Sequence, residues 1–152
     1  MSLDPAVWVL LTPLATAALL AIIPWYRFSA ALNVLGSFVS LLFALGLLGA
    51  RPAPGPYLLI DDMNIVFILL NTFVGFTTSI FSLGYMRHEL ETGRLTRRQI
   101  RFYHPLFQLV ILGMNLALVS NNIGLMWVAV ELSTLATGRA SMDTHFPRQA
   151  DH

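Results

Sequence analysis

One carboxylate stands out of place in this chain. The stretch NNIGLMWVAVELSTLAT, residues 121–137, is apolar almost throughout, and Glu131 stands in its middle. If a helix enters a membrane near Asn122, Glu131 lies nine residues in, roughly 13 Å and close to mid-bilayer. An ionised side chain there costs a few kcal/mol on insertion scales. Hydrocarbon favours the neutral acid, and a nearby cation favours the carboxylate. A carboxyl balanced between the two can take and release a proton. Thr134, one turn on, is placed to hydrogen-bond to it, and Asn115 is a second polar group at membrane depth. The alternative is a protonated Glu131 bonded to a neighbouring helix and serving only as glue.

A second group of residues is basic. Arg94, Arg97, Arg98 and Arg101 fall at i, i+3, i+4 and i+7, the spacing of one helical face. Thr96 and Gln99 have the spacing of a capping box. Such a face suits an interfacial helix on anionic lipid, or it acts simply as a topology determinant. Other chemistry is not visible. There is no G-x-G-x-x-G or P-loop pattern, and no Ser/His/Asp pattern with supporting context. His88, Glu89 and Glu91 cluster, but not as H-E-x-x-H, so no metal site is expected. Cys is absent, which removes thiolate metal sites, cysteine-ligated clusters and c-type haem attachment. No cofactor site and no catalytic site are read in this chain.

The elements that must hold these groups are membrane helices. Of 152 residues, 56% are hydrophobic and only 11% charged, where soluble chains carry roughly 25%. The mean hydropathy is +0.68. Four stretches have the length and apolarity to cross: Pro5 to about Ile23, Phe28 to Ala50, Met63 to Met86, and Pro105 to Ser120. Asp4 and Pro5 read as an N-cap and first helical residue, and Pro105 as a helix start. The N-terminus has no basic region before its apolar run, so an uncleaved first helix is expected. Pro13 should kink that helix, with Thr12 and Thr16 near the freed carbonyls. The fifth stretch, from Ile123 to Thr137, is too short to cross comfortably. Small residues recur four apart at Ala17 and Ala21, Gly36 and Ser40, Gly75 and Ser79, and Gly113 and Ala117. They either permit close helix approach or reflect the composition of any membrane helix. Asn33, Asn71 and Asn115 lie within these helices and need partners, which argues for a bundle.

Charge orients the bundle. All nine basic side chains are arginines, and five lie between the third and fourth helices. Basic loops stay cytoplasmic. Loop 87–104 is therefore placed in the cytoplasm with Arg27, and the N-terminus and the Asp61–Asp62 loop outside, in a multi-pass protein of the inner (plasma) membrane. The arginines then meet lipid headgroups or a cytoplasmic partner, not nucleic acid.

The run VSNNIGLMWVAVELSTLAT resembles the fourth-to-fifth-helix region of the antiporter-like subunits of complex I and hydrogenase-4 type complexes. IDDMNIVFILLNTFVG is similar to the start of that family's third helix, and FSLGYMRHE to its end. The resemblance covers roughly residues 57–137. It implies the N-terminal part of an all-α antiporter-like helical bundle, with residues 1–137 forming four transmembrane helices and a truncated fifth. It also implies that the family's essential glutamate maps onto Glu131, where it would pair with a lysine on a later helix. The partners implied are other membrane and electron-transfer subunits, and the work implied is coupling of electron transfer to proton or Na⁺ translocation.

After Thr137 a relative would continue in apolar residues, whereas this chain reads GRASMDTHFPRQADH. Gly138 and Arg139 are expected to end the helix, leaving 138–152 as a polar, disordered tail. With no Lys in the chain, the later lysine is not supplied. A truncated or frame-shifted product, inactive alone, is expected. The competing readings are a small membrane scaffold or assembly protein, and a small ion transporter acting as an oligomer.

Overall fold

The computed structural model describes residues 5–23, 25–49, 60–94 and 96–145. It contains five helices: α1 (Pro5–Ile22), α2 (Tyr26–Gly46), α3 (Asp62–Glu91), α4 (Arg97–Val119) and α5 (Ile123–His145). The first four are long and apolar enough to cross a membrane. The fold is the expected all-α membrane architecture. Asp4, Ala50 and most of the 51–62 connection lie outside the described residues.

The helices run up and down. Trp8 stacks on Phe43 with ring centroids 5.6 Å apart, and Thr16 meets Gly36, so α1 and α2 are antiparallel. Asn71 reaches Asn115 and Gly75 meets Ile111, so α3 and α4 are antiparallel too. One apolar cluster gathers Ala6 and Val9 at the start of α1, Ala44 in the last turn of α2 with Leu47 just past it, Ile65 and Ile68 in early α3, and Val119 closing α4. Helix α4 is central and packs against α1, α2, α3 and α5, while among the described residues α5 packs against α4 alone.

The outside of the bundle is more apolar than a water-soluble surface allows. Trp8, Leu14, Phe28, Phe67, Phe73, Phe81, Trp127 and Leu135 are all exposed, and Asn33, Thr72, Ser79, His104, Gln108 and Asn115 are buried. That distribution fits acyl chains outside and hydrogen-bonded polar groups inside. The chain is an integral membrane protein.

Small residues set the crossings. A methyl on Gly36 would overlap Thr16, one on Gly75 would come 2.8 Å from Ile111 Cδ1, and one on Gly113 would strike Ser133 and approach the Ala129 carbonyl to 2.9 Å. In lipid this close packing, rather than burial from water, holds helices together. Ala21 is exposed and plays no such part.

Several boundaries differ from the sequence reading. Pro105 does not start α4; it sits inside a helix that begins at Arg97, with Thr96 as N-cap in a complete capping box with Gln99. Two reciprocal side-chain bonds fix the start there, and the one backbone bond that Pro105 forgoes does not stop a helix packed on four neighbours. Helix α3 continues past Met86 to Glu91, and its final turn carries an Arg87–Glu91 ion pair of 2.9 Å. Gly93, at φ 73°, then ends it. The Gly93 and Arg94 amides donate back to the Leu90 and Glu89 carbonyls at 3.2 and 3.0 Å, a Schellman closure. Helix α2 stops at Gly46 because i→i−3 bonds at Leu47, Leu48 and Gly49 tighten its last turn. Helix α5 runs on through Gly138 and Arg139 to His145. Glycine within a helix costs only about 1 kcal/mol relative to alanine, so Gly138 does not by itself end one. In α1 the Thr12 and Thr16 hydroxyls donate to Trp8 and Thr12 carbonyls at 2.7 and 2.8 Å, not to the Val9 carbonyl that Pro13 leaves free.

Candidate functional site

Helix α5 starts on Asn122, whose side-chain oxygen accepts from the Gly124 amide at 2.8 Å. Glu131 follows nine residues later, about 13 Å along the axis. The α4-facing side of α5 carries Ala129 and Ala136, both buried, and half-buried Ser133. At 100° per residue, Glu131 lies about 160° round the helix from Ser133. It is exposed, between exposed Trp127 and Leu135, and makes no ion pair with any described residue. Its carboxylate therefore points away from the four-helix core, at mid-helix depth.

The two supporting residues do not converge on it. Thr134 is exposed, but its hydroxyl donates to the main-chain carbonyls of Val130 and Glu131 at 3.2 and 3.0 Å rather than to the carboxylate. Asn115 is fully buried on α4, and its side-chain oxygen accepts from Asn71 on α3 at 2.8 Å. Asn115 thus ties α3 to α4, a bond worth about 0.6–2 kcal/mol between membrane helices. Beside Thr134 an open apolar groove runs between α4 and α5, lined by Val110, Met114, Ala117, Val130 and Ser133 among others.

Arg94 stands apart from the other three arginines. Arg94 precedes α4, outside the capped helix, and its guanidinium meets Glu89 at 3.5 Å. Arg97, Arg98 and Arg101 occupy the first turns of α4, with Arg101 exposed. Positive charge at a helix N-terminus opposes the macrodipole, so their placement answers to something other than helix stability. Glu89 is 93% buried by its surroundings, being 7% exposed, and Arg94 is its charged neighbour. Among the described residues no group of His, Cys, Asp or Glu could hold a metal ion.

His104, the last residue of the 87–104 stretch read from the sequence as a cytoplasmic loop, is 1% exposed. Continuation of α4 upstream of Pro105 carries it into the bundle. One residue escaped the sequence reading altogether. Gln108 is fully buried, and its amide nitrogen lies 2.8 Å from the Asn33 side-chain oxygen, 3.2 Å from the Asn33 carbonyl and 2.9 Å from the Ser37 hydroxyl. The signal was present as Ser29, Asn33, Ser37 and Ser40 at helical spacing, matched by His104, Gln108 and Asn115.

Comparison with known proteins bears directly on this arrangement. The family model for NADH-Ubiquinone oxidoreductase (complex I), chain 5 N-terminus, matches residues 57–95, the length of α3 and its closure. A hydrogenase-4 component F homolog from Methylacidiphilum infernorum is 51% identical over 129 residues, 85% of this chain and 27% of the relative. The chain belongs to the antiporter-like membrane subunit family of complex I and hydrogenase-4 type. The antiporter-like chain spans about a quarter of the length of that relative. No solved structure matches it.

Proposed function

We propose that this antiporter-like chain acts within a complex I-like or hydrogenase-like assembly, where Glu131 carries a proton, or governs a Na⁺, across the membrane in response to electron transfer in other subunits. One observation carries the reading: a carboxyl at mid-helix depth on the apolar outer face of α5, with no ion-pair partner among the described residues. Such a group is costly in hydrocarbon unless neutral or paired. Switching between those two conditions is what transfer of a proton needs. Thr134 contributes by occupying the Glu131 carbonyl, and Asn115 by fixing α4, the helix on which α5 rests. The relative's name supports the assembly, and the arginines at the start of α4 support a cytoplasmic position for that end.

The test is Glu131→Gln in the assembled complex, in sealed vesicles. The substitution keeps shape and removes titration. Proton uptake driven by electron transfer should fall at least tenfold while the complex still assembles. Retained pumping overturns the assignment.

A further inference from the structure

The polar groups between α2 and α4 are ordered in tiers. Asn33 and Gln108 touch, 75 residues apart in sequence. The up-and-down topology makes α2 and α4 parallel, and equal rise per residue carries the same offset along both. Ser29 is then level with His104, and Ser40 with Asn115; all four are buried. Asn71 of α3 joins the last tier through its bond to Asn115.

Two tiers hold buried polar atoms with no hydrogen-bond partner among the described residues: Asn33 Nδ2 and Gln108 Oε1 in one, Asn115 Nδ2 and Ser40 Oγ in the other. Turning the amides over does not help. Rotating Gln108 alone would set its oxygen against the Asn33 carbonyl and side-chain oxygens, and rotating Asn33 alone would set two NH₂ groups together. Rotating both still faces Gln108 oxygen with the Asn33 carbonyl and strands a fresh pair of atoms. Each tier therefore offers one spare NH₂ group and one spare oxygen, the complement of a molecule that both accepts and donates.

We propose that the α2–α4 seam binds ordered water at two levels about 10 Å apart. One water accepts from Asn33 Nδ2 and donates to Gln108 Oε1; the other accepts from Asn115 Nδ2 and donates to Ser40 Oγ. Buried water in proteins satisfies groups of this kind, and inside a bilayer no other solvent reaches them. The seam is a hydrated spine of the bundle, separate from Glu131 and independent of what Glu131 does.

Radiolytic labelling in H₂¹⁸O tests this on the chain in its native membrane complex, because oxidation is confined to side chains beside bound water. Leu112 lies on the seam face between the two tiers, and Phe73 faces outward on α3. Leu112 should take up ¹⁸O at least tenfold faster than Phe73, and Asn33→Leu with Gln108→Leu should reduce that labelling severalfold. Equal rates at Leu112 and Phe73, or labelling unchanged by the double substitution, overturn the proposal. A density map of the same complex decides it without any variant. Peaks within hydrogen-bonding distance of Gln108 Oε1 and Asn115 Nδ2 are expected, and protein atoms at those positions overturn it.

Discussion

At the scale of single residues, the bundle is governed by which polar groups find partners. Gln108 holds Asn33 and Ser37 together in a fully buried place. Gln108→Leu removes the shared donor and strands the Asn33 oxygens. The loss should be about 1–3 kcal/mol, read as a lower midpoint in thermal unfolding of the detergent-solubilised protein. Glu131 is the opposite case, an acid with no described partner, so Glu131→Gln should leave that midpoint nearly unchanged even where it stops transport. The contrast separates a residue that builds the fold from one that uses it. Glu131 was legible in the sequence because a charge in an apolar run is conspicuous. Gln108 was not, because a lone amide in the first turn of a span read from Pro105 lies at the membrane interface and calls for no buried partner until α4 is known to begin at Arg97.

At the scale of elements, local closures and close crossings fix what hydropathy leaves vague. Gly93 lies in the left-handed region that side chains resist. Gly93→Ala should cost about 1 kcal/mol and fray the last turn of α3, seen as faster amide exchange at Thr92 and Arg94. The capping box at Thr96 and Gln99 was legible as a spacing, and the structure makes both of its bonds, at 2.8 and 3.3 Å. The burial of His104 was not legible, since it follows from the helix running through Pro105. Among the described residues, helix α5 depends on a single neighbour. Gly113→Leu would push into Ser133 and the Ala129 backbone. It should cost about 1–3 kcal/mol and release α5 from α4 while leaving α1–α4 paired. A protease cut in α5, with the remaining helices protected, would show it.

For the whole molecule, the proposed orientation rests on the arginines gathered around the start of α4. Because the chain has no Cys, single cysteines can be introduced without removing any. Arg94→Cys should react with a membrane-impermeant maleimide only from the cytoplasmic side, and Asp61→Cys only from the outer side. Both positions are exposed, so a failure to react from the expected side would be a failure of orientation and not of access. Neutralising Arg97, Arg98 and Arg101 together should yield a mixture of orientations, because the bias between loops is what selects one.

The sequence by itself determined the membrane class, the number of helices, the family, the acid at mid-helix depth and the small residues at the crossings. These are composition and short-range periodicity, and they are written locally. Only the tertiary structure decided that α4 is the central helix, that Arg94 stands off it, that α5 continues through Gly138, and that Asn33 and Asn115 meet Gln108 and Asn71. Those partners lie 75 and 44 residues apart. No local pattern names a partner at such distance, because the choice is made by which helix faces oppose one another once all of them are packed.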